Sequence, residues 1–324
     1  MESQRVPTLL SDLSRWPVSE LRRIATFIRQ NEIDVIHTHM SRAHFFGVLL
    51  KRFVKVPVVA TAHNRIFQLH WMFNDRVIAV SEATRKFQIE RNLVRPNRIK
   101  TVHNFVNNLE AFDSAPGDRE QFCRKLEIDP QANLIAFVGE VTNRKGLLYL
   151  IEALPRIVAR VPATQVLLVG PVIDEKCKEE FCQRARVLGV FDRLKFLGKR
   201  TDVSEILSHS DVFALPSIEE SFPLTILESM TVGTPVVASN VGGVSECVER
   251  GVNGLLVPPQ RPDELAAALI RVLTNHKLRR SLSANCRSSV LEDYSLQSQF
   301  PKIVSVFEDA IESIAVARPG KSAA

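Results

Sequence analysis

Short apolar runs alternate along this chain with longer stretches of helical periodicity. LRRIATFIRQ, 21–30, places Leu21, Ile24, Ala25 and Ile28 on one face, the spacing of an amphipathic helix. IDVIHTHM, 33–40, reads as a strand, and SRAHFFGVLLKRF after it as a helix with Ser41 as its cap. VPVVATAHN (56–64), DRVIAVS (75–81) and IKTVHNFVN (99–107) are the next strands, with Ser81 expected to cap a helix over EATRKFQIER. This alternation predicts a parallel sheet with helices on both faces. It resumes with the strand NLIAFVGEV (133–141), the amphipathic helix LLYLIEALPRIVARV and the strand TQVLLVGP (164–171). LKFLGKRTDVSEIL (194–207) reads as a strand, a Gly loop and a helix, and DVFALP as a further strand. Leu255 to Pro258 is the last strand, and RPDELAAALIRVL (261–273) a helix. The polar, turn-rich SAPGDREQF (114–122) reads as a linker. Tyr294-Ser295 breaks the late helical pattern, and FPKIVSVFEDAIESI has the length of a helix crossing back to the first half. The expected division is therefore a first domain over 1–112, a second over 113–295, a crossing helix over 296–316 and a disordered tail over 317–324.

The second half turns around the stretch from Phe213 to Gly243, FALPSIEESFPLTILESMTVGTPVVASNVGG. An apolar run stops at Pro216, a polar loop carries Glu219 and Glu220, and Pro223 stands where a first helical position would be. LTILESM continues with helical spacing, Gly233 closes the helix, and the β-branched PVVAS follows as another strand. The loop thus sits at the carboxyl end of a strand, where open α/β sheets bind ligands. The backbone N–H groups around Phe222, Leu224 and Thr225 fall at the expected helix start, where the helix dipole favours an anion. Glu220 and Glu228 can each accept a pair of hydroxyl hydrogen bonds, which suits a phosphorylated, hydroxyl-rich ligand. For any one of these Glu residues taken alone, a solvated surface carboxylate is the simpler account.

Composition narrows the class. With 324 residues and 45% hydrophobic content, the chain can bury two cores. No apolar run reaches the roughly eighteen residues of a membrane helix, and MESQRVPTLL lacks the order of a signal peptide, so a cytoplasmic protein is expected. Cys123, Cys177, Cys182, Cys247 and Cys286 are odd in number and form no C-x-x-C pair, which suits reduced thiols. The net charge of +6 is uneven: residues 1–110 hold 17 Lys+Arg against 9 Asp+Glu, and the remainder 25 against 27. The basic first part suits an acidic partner, either an anionic inner-membrane surface or a phosphorylated acceptor, and a merely basic surface is the simpler alternative. Nucleic acid is not expected, because there is no zinc pattern or aromatic-interleaved basic tract and only two Trp and two Tyr.

His37 and His39 lie two apart on a strand and share a face, but no third ligand stands nearby to make a metal site. His63 falls at the carboxyl end of its strand, in a better position for function. Arg144 and Lys145 occupy a strand-to-helix loop, where cations meet phosphates even though the helix dipole disfavours them there. Gly47 is the only glycine before Gly117 and lies inside a helical pattern. The first domain therefore reads as short by at least one strand–helix unit and its Gly-rich turn.

PSIEESFPLTILESMTVGTPVVASNVGGVSE, with VGEVTNRKG before it and VNGLLVPP after it, closely resembles the group 1 (family 4) retaining glycosyltransferases. DVIHTHMSRAHFFG, VVATAHN, VIAVSEATR and TVHNFVN resemble that family's first domain, so the likeness covers about residues 30–310. It implies the GT-B fold, α/β with two Rossmann-like doubly wound domains facing a cleft. It also implies a nucleotide-sugar donor, a glycan or lipid-linked acceptor, and work on a cell-surface polysaccharide, lipopolysaccharide or glycolipid beside the membrane. By the same resemblance, Glu228 would take the ribose hydroxyls and Glu220 the transferred sugar. Phe222, Leu224 and Thr225 would offer backbone N–H groups to the diphosphate, Lys145 would bind phosphate, and His63 would touch the sugar. The loop after Gly198 would border the base. Glu140 stands where the family has an arginine, with Arg144 as the candidate substitute. No metal or further cofactor is implied, and transfer would retain configuration by same-face displacement. The family's first strand and Gly-rich acceptor loop have no counterpart in this sequence. A donor-binding scaffold with impaired catalysis follows from that, and a sugar-nucleotide epimerase or hydrolase on a related two-domain fold is a third reading.

Overall fold

Four parallel strands form the sheet of the first unit, in chain order: β1 (Ile36–His39), β2 (Val58–Ala62), β3 (Arg76–Ala79) and β4 (Ile99–Thr101). The structure is a computed structural model that describes residues 6–11, 18–107 and 117–316. The chain divides into one unit of Met1–His103 with Phe300–Ala324 and a second of Asn104–Gln299. In the first, helices α1 (Val18–Gln30), α2 (Ser41–Leu50) and α3 (Glu82–Glu90) alternate with the strands. The side chains on each strand separate by parity, as a pleat requires. Val59, Ile78 and Val102 pack against Val306 and Ala310 of α12 (Leu296–Val316), while Ala60, Val77 and Ala79 pack with Trp71 on the other face.

Two details differ from expectation. Ser41 is not a cap but the first residue of α2. The cap position is Met40, at φ 71°, because the helical bonding starts with the Met40 carbonyl, which accepts from His44 N at 3.1 Å. The boundary also falls earlier than residue 112. The Tyr294 carbonyl accepts from Val106 N at 2.9 Å, and Val106 pairs with Ser295, which ties this segment to the second unit. Ser81 does cap α3, its Oγ accepting from Thr84 N at 3.1 Å. The tail over 317–324, and residues 108–116 with the start of the linker, lie outside the described residues.

The second unit has six parallel strands: β5 (Asn133–Val138), β6 (Thr164–Val169), β7 (Leu194–Gly198), β8 (Val212–Leu215), β9 (Val236–Ser239) and β10 (Gly254–Val257). Their order is β10-β9-β8-β5-β6-β7. The chain winds outward from β5 through β6 and β7, then returns to the other side of β5 and winds out again. The reversal point lies between β5 and β8. The helices are α4 (Arg119–Lys125), α5 (Leu147–Arg160), α6 (Glu175–Val187) and α7 (Val203–Ser208), then α8 (Leu224–Thr231), α9 (Val244–Cys247), α10 (Pro262–Thr274) and α11 (His276–Asp293). Pro223 is the cap of α8 rather than its first helical residue. Gly233, at φ 77°, ends it, with Thr234 N bonding back to the Ser229 carbonyl at 2.9 Å. On one face of the sheet, Ile135, Phe137, Val166 and Leu168 are buried in one core with Ile151, Leu154 and Leu269.

The glycines at the strand ends let the backbone close up. Gly139 N bonds to the Val169 carbonyl at 2.8 Å, and Gly170 N to the Gly198 carbonyl at 2.8 Å. A Cβ on Gly170, at φ 141°, would lie 2.0 Å from the Gly139 oxygen. Gly170→Ala should therefore lower unfolding stability by about 2 kcal/mol or more. A urea midpoint equal to that of the unmodified chain would refute the close approach.

Candidate active site

The reversal between β5 and β8 opens a crevice at the carboxyl ends of the strands, the place where doubly wound sheets bind ligands. Its two walls are the loops 139–146 and 216–223, and they are stitched together. A Cβ on Gly146, at φ 71°, would stand 1.9 Å from the Pro216 oxygen, so only glycine allows the contact. Ile218 N donates to the Arg144 carbonyl at 2.9 Å, and Arg144 Nη1 donates to the Glu219 carbonyl at 3.3 Å.

Across this seam Lys145 Nζ meets Glu220 Oε1 at 2.7 Å, both side chains being nearly buried. The fully buried Ser217 donates its hydroxyl to the same carboxylate oxygen at 2.8 Å. Oε1 thus carries two donors, while Oε2 has Arg144 Nη1 only at 4.0 Å and keeps its accepting capacity. The Lys145 stem runs along Gly139, where an added Cβ would meet it at 3.5 Å. Glu140 pairs at 3.8 Å with Arg144, which also approaches Glu220 at 4.0 Å.

The start of α8 forms the floor. Pro223 caps it without a side-chain hydrogen bond, and Leu224 and Thr225 stand in its first turn, where no helical carbonyl precedes them. The Phe222 carbonyl accepts from Asn104 Nδ2 at 2.9 Å, and its ring packs on Tyr294 at 5.6 Å, fixing the entry of the chain into the helix. The hydroxyls of Thr142 and Thr225 are buried without a protein partner. Glu228 lies one turn into α8, and burial raises its carboxyl above the ordinary range. Gly198 ends β7 at the edge of the sheet, two strands from β5, so it shares the row of strand ends without joining the charged cluster.

His63 belongs to the first unit, just beyond β2. Its Nε2 lies 2.8 Å from His39 Nδ1, and the His37 ring sits 4.2 Å from that of His39. His37 also bonds Thr61 Oγ1 at 2.7 Å. Burial, then the neighbouring imidazoles, pull His37 down to about 4, and burial followed by His39 lowers His63. These rings are neutral at pH 7, so the His39–His63 contact is one N–H donating to one bare nitrogen. Among the described residues no group of three or more His, Cys, Asp or Glu is arranged to hold a metal ion.

The sequence picked out Glu220, Lys145 and Arg144 separately, and the fold brings them together. Ser217 and the His39–His63 contact had not been singled out. The signal for Ser217 was its place three residues before Glu220 in a tight loop. The His39 contact depends on the register of β1 beside β2, with His39 opposite Thr61.

Known proteins similar to this chain are glycosyltransferases. A family model described as Glycosyl transferases group 1 matches residues 118–289, and one described as Glycosyltransferase Family 4 matches residues 2–108. An uncharacterized glycosyltransferase of Methanocaldococcus jannaschii is 30% identical over 315 residues, covering 90% of this chain and 80% of its own. The UDP-Gal:alpha-D-GlcNAc-diphosphoundecaprenol alpha-1,3-galactosyltransferase of Escherichia coli is 27% identical over 327 residues, covering 94% and 83%. The crystal structure of Anabaena HepE in complex with UDP superposes with a TM-score of 0.82 at 23% identity, covering 90% of this chain and 82% of that one. The fold is therefore α/β with two Rossmann-like parallel-sheet units, as in GT-B enzymes. The group 1 model spans more than half of the residues and a relative at 30% identity spans most of both chains, so this protein belongs to the group 1 glycosyltransferases.

Proposed function

We propose that this glycosyltransferase moves a sugar, with retention of configuration, from a nucleoside-diphosphate donor to a glycan or lipid-linked acceptor of the cell surface. The observation that carries the reading is the Lys145–Glu220 pair at the sheet reversal, above the uncapped start of α8. A diphosphate there meets Lys145, Arg144 and the N–H groups of Phe222, Leu224 and Thr225. These supply fixed positive charge where the leaving group gains negative charge. Glu220 Oε2 accepts from hydroxyls of the transferred sugar, and Glu228 from those of the ribose. Gly198 leaves room for the base at the sheet edge, and His63 is assigned contact with the sugar. The anomeric C–O bond to phosphate breaks, the acceptor oxygen bonds the same carbon on the same face, and its proton passes to the departing phosphate oxygen. In this reading the cationic side chains take the role of a metal, and no further cofactor is needed. The E. coli relative's name specifies a diphosphoundecaprenol-linked acceptor. Such an acceptor suits the excess of base in residues 1–110 and a place at an anionic inner-membrane face, with no role for nucleic acid.

Lys145→Ala and Glu220→Gln should each lower kcat/KM about 10²–10³-fold in a coupled assay of nucleoside-diphosphate release. Activity within threefold of the unmodified enzyme, on the order of the scatter between conservative variants, would overturn the assignment. A product of inverted configuration by NMR would overturn retention.

Glu228 has a raised folded pKa, so its ionised, hydroxyl-accepting form appears only as pH climbs through that shifted value. Donor KM should therefore fall as pH rises above the ordinary carboxylate range, and Glu228→Gln should flatten that profile. The same shift makes the unliganded protein lose stability on that rise, because the folded state holds the proton more tightly than the unfolded chain. An unchanged KM profile in Glu228→Gln would remove the residue from the donor site.

A further inference from the structure

The loop between β2 and β3 carries an unusual surface. Ile66, Phe67, Leu69 and Phe73 are exposed by 48%, 62%, 50% and 55%, on a segment of eight residues. Leu93, exposed by 55%, adjoins them through Asn92. That fully buried asparagine donates Nδ2 to the Ile66 carbonyl at 3.0 Å and accepts from Gln68 N at 2.7 Å. Trp71, buried in the core from the 3₁₀ turn Leu69–Phe73, anchors the other end. The loop is pinned at two points, and its apolar side chains are held outward. A grouped set of this size marks a docking surface rather than the scattered apolar residues of ordinary surfaces.

Charge identifies what docks. Residues 35–74 and 91–107, which contain this surface, hold nine Lys and Arg and no Asp or Glu. Of the acidic residues that border them, Asp75 and Glu90 are in ion pairs with Lys51 at 2.6 Å and Lys86 at 3.9 Å, and Asp34 stands at the far end, before β1. Arg91 and Arg95 flank Leu93, and Arg42 lies one turn before Phe45, whose ring faces that of His70 at 5.6 Å. Lys51 pairs with Asp75 and Lys100 with Asp309, and aromatic and branched side chains amid the bases of stretches that carry no acid of their own are the pattern of a segment that seats in an anionic headgroup layer. We propose that Ile66–Phe73 with Leu93 is the surface by which this enzyme docks on an anionic lipid bilayer, its apolar side chains entering the interface and its arginines binding the headgroups. The proposal deepens the reading of a lipid-linked acceptor and rests on it for its purpose.

Flotation of the full chain with phosphatidylcholine vesicles, and with vesicles of phosphatidylcholine and phosphatidylglycerol in equal parts, tests it. The chain should float with the mixed vesicles and much less with the zwitterionic ones. Phe67→Ser with Phe73→Ser should cut the bound fraction about tenfold, with circular dichroism and UDP binding unchanged. Arg91→Glu with Arg95→Glu should abolish the preference for phosphatidylglycerol. Three results overturn the proposal: no flotation of the unmodified chain, full flotation of the double-serine variant, or a dimer in light scattering that this variant dissolves. That last result would make the surface an interface between copies. Flotation needs no turnover, so its failure leaves the donor site untouched, whereas wild-type turnover in Lys145→Ala would sink the donor site without altering flotation.

Discussion

Two loops approach closely at the reversal of the second sheet, and the arrangement of the charged residues there depends on that contact. Gly146 lies against the Pro216 carbonyl at a distance that no side chain permits, and this brings Lys145 to Glu220. Removing one partner of a nearly buried ion pair costs about 3–5 kcal/mol, yet such pairs add little net stability compared with an apolar replacement. This pair is therefore better explained by what it prepares. Ser217 and Lys145 hold one carboxylate oxygen, so the other is oriented before any ligand arrives. An anion at the start of α8 would draw the ammonium toward itself, while the serine keeps the carboxylate in place. Preorganisation of this kind is how a site stabilises developing charge without rearranging at the moment of reaction.

The same constraint explains the other site residues. Arg144, one position before the lysine, is held by Glu140 and by the Glu219 carbonyl, and it brings a second cation to the same wall. Thr142 and Thr225 leave buried hydroxyls unpartnered at the mouth of the crevice. Buried polar atoms without partners are uncommon in folded proteins and mark places where a ligand completes the hydrogen bonding.

Much of this was legible in the chain. Fully buried parallel strands are read from β-branched runs, and every strand from IHTH to GLLV overlaps a stretch read as a strand, the last beginning one residue earlier, at Gly254. Glu220, Lys145 and the start of α8 were visible as loop chemistry at strand ends. What stayed hidden depends on contacts between distant residues. The register of β1 against β2 sets His39 beside His63. The bridge of Val106 to Ser295 moves the unit boundary ahead of the linker. Ser41 and Pro223 were each placed one position off, because helix starts are decided by which carbonyl bonds first, and propensity says little about that. The exposed loop 66–73 was equally silent, since an apolar residue in sequence does not announce which side of Trp71 it faces.

A crystal structure of the chain with a bound nucleoside diphosphate decides whether the Lys145–Glu220 seam is the donor site. The terminal phosphate should lie at the start of α8, with Lys145 Nζ about 2.8 Å from a phosphate oxygen and Ser217 still bonded to Glu220. A diphosphate bound elsewhere, with the Lys145–Glu220 pair undisturbed, would contradict that assignment.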